Sequence, residues 1–388
     1  MSKNVYQSTS QRYLLLITGA YGLRGGIAGS TRLVIEALQS VDAHFDIIAF
    51  NERADAASHY THLHGVNYLT ANNNKLIFVG LVVKMLLLTR YQTIFCDHIN
   101  IASILAPFAF LGLIRYIVRV HLIEALSPHL DGQGMIGLRG ANKLHASEFA
   151  KHEVLKRFPL LKIEALPLAL DQKASAAIQA SPPAIASPIH NLQMLALDNC
   201  VYSLGDCVIL HVGRMATSEQ YKGQDVLIQA MPQILELHPQ AQLVFAGQGD
   251  DMERLLVLAR SNSPEVQAAI FFAGFVSEEL LTQLYQQCYV FAMPSRGEGF
   301  GLVYIEAMRW AKPCIASRVD AAQYIVQHEI TGLLVEDATS SESVAHTVIN
   351  LLDDPERARQ YGLAGYQRVL EHYTFEHFRE RFLTSLNS

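Results

Sequence analysis

The stretch Pro294-Ser295-Arg296-Gly297-Glu298-Gly299-Phe300-Gly301-Leu302-Val303-Tyr304-Ile305-Glu306-Ala307-Met308 constrains the fold of this chain more than any other. Val290–Met293 is a short apolar run that Pro294 stops, and from about Leu302 the apolar spacing turns helical. The reading is a strand end, a glycine-rich turn and a helix start. Gly297, Gly299 and Gly301 free the backbone and let a ligand come close to it. The N–H groups opening such a helix form an anion site that the macrodipole reinforces. Glu298 lies in the turn and Glu306 about two turns into the helix. Carboxylates beside a phosphate-binding helix end repel phosphate, so they suit hydroxyl groups as hydrogen-bond acceptors. A ligand bearing both phosphate and several hydroxyls fits, and a nucleotide sugar is the obvious one.

A second string points to the same chemistry. Cys207–Val212 reads as a strand, ending in His211-Val212-Gly213-Arg214-Met215, with Tyr221-Lys222-Gly223 after it. The strand end delivers Arg214 and a helix start delivers Lys222, so both cations can converge on one diphosphate. Arginine grips phosphate bidentately and lysine acts as a point charge. No residues have metal-ligand spacing, and no Ser-His-Asp order or nucleophile elbow argues for a hydrolase.

The rest of the chain alternates between strand and helix. Tyr13–Thr18 reads as a buried strand running into a glycine loop, Gly19 to Gly29, and then a helix from about Ser30 to Gln39. Strands follow at Phe45–Phe50, Thr93–Cys96, Tyr116–Val120, Lys143–Ala146 and Ile163–Leu166. A second run follows at Cys207–Val212, Leu243–Ala246, Ile270–Ala273, Val290–Met293, Cys314–Ala316 and Gly332–Val335. This alternation predicts parallel sheets with helices on both faces. The first loop is not G-x-G-x-x-G, and Asp46 reads as preceding the next strand rather than ending it, so a dinucleotide reading is weak. At 388 residues the chain is long enough for two cores. The expected division is an N-terminal domain over 1–171, a linker over 172–205 and a second domain over 206–370. A C-terminal helix over 371–388 completes it. The linker is rich in Ala, Ser and Pro, without periodicity. His121 ends the Tyr116–Val120 strand, at the edge where ligands of α/β folds collect. His62, His64, His98, His129 and His145 match no motif.

In the setting E-G-F-G-L-x-x-x-E-A-M, Glu298 and Glu306 resemble the paired-glutamate motif of retaining GT-B glycosyltransferases, family 4 (group 1) in particular. The resemblance covers nearly the whole chain and is strongest over Val212–Glu336. It implies a GT-B fold, two Rossmann-like doubly wound parallel-sheet domains facing a cleft, with the C-terminal helix crossing back to the first domain. It also implies a retaining hexosyltransferase that needs no metal or other cofactor and uses a UDP- or GDP-linked sugar. On that likeness Arg214 and Lys222 stabilise the departing diphosphate, beside Gly213. Glu306 takes the ribose hydroxyls and Glu298 the sugar hydroxyls. The amides of Gly299, Phe300, Gly301 and Leu302 hold the donor phosphate or sugar, and the backbone at Gly274-Phe275-Val276 meets the base. Gly25 and Gly26 belong to the loop facing donor phosphate and acceptor, and His121 stands near the reaction centre. Asp250-Asp251, after Gly247-Gln248-Gly249, resembles the family's Gly-x-Gly turn and helix cap. Leu166-Pro167-Leu168-Ala169-Leu170-Asp171 departs from the family, which has Pro-Asn-Gly-Val-Asp there; Pro167 and Asp171 match but the Asn-Gly turn is missing.

The acceptor implied is a glycan or a lipid-linked sugar in cell-surface polysaccharide or glycolipid assembly. A soluble glycoside product and a sugar-nucleotide epimerase of the same fold stand as alternatives. The formal charge of −6 gives no case for nucleic-acid binding. Lys75–Glu164, however, holds eleven basic and six acidic residues, net +5, leaving −11 for the remainder. That segment includes the apolar stretches Leu76–Leu88 and Ile101–Ile114, each too short to cross a bilayer. Two readings stay open for it: a surface lying on an anionic membrane, or buried core helices with solvated cations. Five scattered cysteines, Cys96, Cys200, Cys207, Cys288 and Cys314, with no Cys-x-x-Cys pair and no signal peptide, predict reduced thiols in a cytoplasmic protein, peripheral on the membrane's inner face if the first reading holds.

Overall fold

The computed structural model describes residues 12–21, 25–52, 63, 65–126, 132–180 and 192–387. Gly22, Leu23 and Arg24 of the glycine loop, and His62, His64 and His129, lie outside these residues. The chain divides into two compact units, Met1–Gln172 with Thr374–Ser388, and Lys173–Tyr373.

The first unit holds strands β1 (Arg12–Ile17), β2 (His44–Ala49), β3 (Asn67–Thr70), β4 (Thr93–Cys96), β5 (Tyr116–Arg119), β6 (Lys143–Ala146) and β7 (Ile163–Ala165). They pair in parallel in the order β3-β2-β1-β4-β5-β6-β7. Helices α1 (Gly26–Gln39), α2 (Lys75–Leu88), α3 (Ile99–Phe110), α4 (Leu122–Leu126), α5 (Gln133–Gly140) and α6 (Glu148–Arg157) connect them. β1 is buried from its second residue onward because helices cover both faces of the sheet, hence its unbroken Tyr-Leu-Leu-Leu-Ile. β3 escaped the sequence reading: Asn-Tyr-Leu-Thr is a half-exposed edge strand without an apolar run. Asp46 lies inside β2, correcting its placement before the strand; it is buried and paired with Arg12 at 2.8 Å and with the Tyr91 hydroxyl at 2.6 Å.

Helix α2 fits neither open reading in full. Asn74 caps its start, and Phe78, Val82 and Met85 pack on the sheet. Its outer side, apolar as well, is exposed. Where relatives are expected to carry an Asn-Gly turn, Leu166, Leu168, Ala169 and Leu170 are buried, so apolar packing replaces the turn.

The second unit carries a short antiparallel hairpin, β8 (Gln193–Leu195) and β9 (Val201–Ser203). Its main sheet comprises β10 (Val208–Val212), β11 (Gln242–Ala246), β12 (Ile270–Gly274), β13 (Val290–Ala292), β14 (Cys314–Ser317) and β15 (Gly332–Val335). The order is β12-β11-β10-β13-β14-β15, all parallel, which repeats the 3-2-1-4-5-6 order of the first unit. Residues 181–191 of the expected linker lie outside the described residues; on either side of them helix α7 (Gln172–Ala180) and the hairpin are regular elements, which corrects the linker expectation there, and the Tyr366 hydroxyl bonds the Ile178 carbonyl at 3.1 Å. Helices α8 (Gln224–Leu237), α9 (Met252–Arg260), α10 (Pro264–Ala268), α11 (Glu278–Gln287), α12 (Leu302–Met308), α13 (Ser341–Leu352) and α14 (Pro355–His372) follow. A 3-10 turn spans Ala321–Tyr324.

The last helix, α15 (Phe375–Asn387), belongs to the first unit. Phe382 is fully buried there, edge-on to Phe95 at 5.8 Å and stacked with Phe378 at 5.9 Å. Ser385 lies 2.7 Å from Nε2 of His145 and donates to Glu164 at 2.6 Å, which gives His145 a packing role. Cys96, Cys207, Cys288 and Cys314 are buried free thiols; Cys200 is free and exposed.

Candidate active site

In a doubly wound sheet, ligands collect outside the carboxyl ends of the strands where the order reverses. In the second unit that point falls between β10 and β13, whose ends carry the Arg214 and Glu298 strings. After β10 the chain turns through a 3-10 segment, Thr217–Lys222. Two carboxylates fasten it: Asp250 accepts from the Thr217 N–H and hydroxyl, both at 2.9 Å, and Asp251 accepts from Gln220 at 2.8 Å. Asp251 sits at the cap position of α9, but its carboxylate is engaged by Arg254 and Gln220, so it makes no cap bond, contrary to expectation. Gly223 ends the segment in a left-handed conformation (φ 79°), and a Cβ there would stand 2.6 Å from the Pro294 carbonyl oxygen. The loops after β10 and β13 thus meet backbone to backbone, and Arg296 N–H bonds the Tyr221 carbonyl at 2.8 Å.

This packing assembles a chain of charges. Buried Glu219 bonds Arg214 through one oxygen and lies 3.2 Å from the Lys222 ammonium through the other. Lys222 is in turn 3.6 Å from Oε1 of Glu298. A Cβ at Gly213 would lie 3.1 Å from the His211 ring, so the glycine eases the packing of that buried ring. Burial pushes the Glu298 carboxyl up, and the charge of Lys222 opposes this. Glu298 N–H donates to Asp320 at 2.9 Å. Asp320 is fully buried, which pushes its carboxyl up to about 7 against its two backbone donors. Sequence reasoning missed Glu219 and Asp320, because neither sits in a glycine-rich string; their neighbours are set by loop packing.

Gly301 caps α12 at φ 94°, where a Cβ would lie 2.6 Å from the Tyr304 ring. Gly299, Phe300 and Leu302 are part-buried around it, and Phe300 meets Tyr373 edge-on at 6.0 Å. Glu306, on α12, accepts from the buried Tyr285 hydroxyl at 2.9 Å, another partner invisible in the sequence. Gly274 (φ 63°) ends β12, and the half-exposed Phe275 and Val276 follow it, two strands from β10 on the same edge.

His121, Gly25 and Gly26 belong to the first unit. Gly25 (φ 129°) precedes α1, and open space surrounds both glycines. His121 Nε2 lies 2.9 Å from the Asp97 carbonyl oxygen, so Nε2 carries the proton and Nδ1 is an acceptor. Burial holds the ring neutral, with its pKa lowered to about 4. Glu124 ties this loop to the next, accepting from His121 N–H at 3.0 Å and lying 2.7 Å from His98 Nε2. Glu52, past the end of β2, accepts from the amides of Ala20 at 2.7 Å and Tyr21 at 2.6 Å. That carboxylate occupies amides a dinucleotide fold would turn to pyrophosphate. Among the described residues no group of three or more His, Cys, Asp or Glu could hold a metal ion, and no helix is long and apolar enough to cross a membrane.

Residues 206–354 match the family model of "Glycosyl transferases group 1". An uncharacterised glycosyltransferase of Methanocaldococcus jannaschii is 38% identical over 147 residues, 38% of this chain and 36% of that protein. A GDP-mannose-dependent monoacylated alpha-(1-6)-phosphatidylinositol monomannoside mannosyltransferase of Corynebacterium glutamicum is 35% identical over 174 residues, 43% of this chain and 44% of that one. The chain therefore matches less than half the length of these relatives. The crystal structure of Anabaena HepE with UDP superposes with a TM-score of 0.74 at 18% identity, covering 97% of this chain and all of that one. The fold is GT-B.

Proposed function

We propose that the protein is a retaining glycosyltransferase of family 4 that transfers a hexose from a UDP- or GDP-linked sugar to a glycan or lipid-linked acceptor without a required metal. The observation that carries this reading is the convergence of Arg214, Lys222 and Glu298 at the β10–β13 switch point. In this reading Arg214, Lys222 and the amides of Gly299–Leu302 take up the charge that grows on the diphosphate, the largest catalytic contribution such a site offers. The acceptor oxygen bonds the anomeric carbon on the face from which the phosphate oxygen leaves, and its proton passes to that oxygen. Glu298 and neutral His121, through Nδ1, hold sugar hydroxyls; Glu306, steadied by Tyr285, holds the ribose; the backbone near Phe275 and Val276 meets the base. Gly213, Gly25 and Gly26 border the phosphates.

The first unit is read as the acceptor side and the second as the donor side. The phosphatidylinositol mannoside acceptor named for the Corynebacterium relative supports a lipid-linked acceptor, met at the inner face of an anionic membrane from the cytoplasm. A thermal-shift panel of UDP, GDP, ADP and their hexose conjugates, run with EDTA, tests the donor site. One nucleotide is expected to stand out and to lose its shift in Arg214→Ala and Glu306→Ala. No shift with any nucleotide overturns the reading, and sugar-nucleotide conversion without acceptor replaces transfer by epimerisation.

A further inference from the structure

Helix α2 carries Lys-Leu-Ile-Phe-Val-Gly-Leu-Val-Val-Lys-Met-Leu-Leu-Leu, apolar on every side, yet its neighbours bury only Phe78, Val82 and Met85. A helix apolar all round is ordinarily covered all round. Here Leu76, Leu87 and Leu88 stand out in solvent, and so do Phe110, Leu111 and Leu113 where α3 ends, each between 64% and 85% exposed. All lie on one face of the sheet. The steps β3 to β4 and β4 to β5 run the same way across the sheet, so right-handed crossovers put α2 and α3 on one face. Both helices indeed pack into the same core cluster. Their carboxyl ends, with Leu87, Leu88 and Phe110–Leu113, share the amino edge of the sheet, while Leu76 reaches the carboxyl edge where His121 lies. Six large apolar side chains left bare on one face mark a site that something covers.

The charges decide what covers it. From residue 75 to 118 the exposed ionic side chains are Lys75, Lys84, Arg90 and Arg115; the one carboxylate, Asp97, is buried. Lys84 stands among the exposed leucines, where its long stem lets the ammonium reach a headgroup layer. A second copy of this chain would set these cations against their own kind. We propose that the outer face of α2, with the turn at the end of α3, docks on a bilayer containing anionic phospholipid, its leucines and phenylalanine entering the headgroup boundary and its four cations meeting lipid phosphates. This deepens the lipid-acceptor reading above and rests on it for purpose, not for geometry. A bilayer along α2 would lie beside the carboxyl edge of this sheet, on the side where a lipid-borne sugar approaches His121.

Flotation of the full chain with vesicles of phosphatidylcholine alone, or with 30% (about a third) phosphatidylglycerol, tests it. Binding is expected to the anionic vesicles, weakened roughly tenfold or more by raising salt to about 0.5 M. Leu87→Glu with Leu111→Glu, and separately Lys84→Glu with Arg115→Glu, are each expected to lower it at least tenfold. Both pairs are exposed, and the nucleotide-induced thermal shift, unchanged in both, reports that fold and donor site survive. Failure to float at any salt, or equal flotation of parent and variants, overturns the proposal while leaving the donor-site reading to its own panel. So does a dimer in light scattering that Leu87→Glu dissociates, because a second copy then covers the face.

Discussion

The ammonium of Lys222 lies 3.6 Å from Oε1 of Glu298, joining a residue that follows β10 to one that follows β13. Seventy-odd residues separate them, and only the parallel pairing of β10 with β13 sets them side by side. Glu219 extends the pair to Arg214, so two cations and two carboxylates form one chain of alternating charge.

Loss of Lys222 removes one charge from the proposed diphosphate site while Glu219 and Glu298 remain to repel it. Lys222→Met is expected to lower kcat for hexose transfer by roughly 100-fold or more, the cost usual for one charge-stabilising donor. Steady-state kinetics with the donor identified by thermal shift measure it.

Glu219 pairs with both cations of the proposed diphosphate site. Glu219→Gln leaves both cations short of a counter-charge, at an expected cost of about 1–3 kcal/mol, below the ~3–5 kcal/mol of a fully buried pair because Arg214 is exposed. A nucleoside diphosphate restores the missing charge, so its stabilising shift should be larger in the variant than in the parent. An equal shift would mean that the carboxylate and the ligand do not share these cations.

Asp97 is buried among Thr18 N–H, the Thr18 hydroxyl and the Thr31 hydroxyl, and burial pushes its carboxyl up to about 7 from an ordinary 3.8. The folded state therefore holds the proton more tightly than the unfolded one. This contribution to stability is complete below about pH 4 and is lost as pH rises through about 7, with a slope of up to ~1.4 kcal/mol per pH unit. Asp97→Asn, which keeps an acceptor oxygen, should flatten stability against pH across that window. An unchanged profile in denaturant titrations at pH 4.5 to 8 would refute the assignment.

His121 presents Nδ1 as an acceptor and stays neutral down to about pH 4. His121→Ala is expected to reduce transfer by roughly 10–100-fold, with Asn partly restoring it through its amide oxygen, and the rate of the parent should show no ionisation near pH 6.5.

Phe382 anchors α15 to the first unit against Phe95. Phe382→Ala should cost about 3–5 kcal/mol in chemical denaturation, as other buried phenylalanine truncations do. Its nucleotide shift should persist, since Arg214, Lys222 and Glu306 of the proposed donor site belong to the second unit.

By itself the sequence determined the α/β class, the use of one α/β architecture twice, and the strings holding Arg214, Lys222, Glu298 and Glu306. Those features are local: apolar runs, glycine turns and spacing carry them within a dozen residues. It left β3 unread, because an edge strand needs no apolar run, and it took 172–205 for a linker, because α7 and the hairpin are short and gain their stability from packing. The tertiary structure alone decided the partners. Glu219 neutralises the cations, Asp320 holds the Glu298 loop, Tyr285 orients Glu306, Glu52 closes the first loop's amides, and Glu124 binds two histidine loops together. It also decided that the outer side of α2 is left bare, which hydropathy cannot tell from burial. The physical reason is the same throughout: a side chain's environment depends on which strand ends are neighbours, and neighbours in a doubly wound sheet are far apart in sequence.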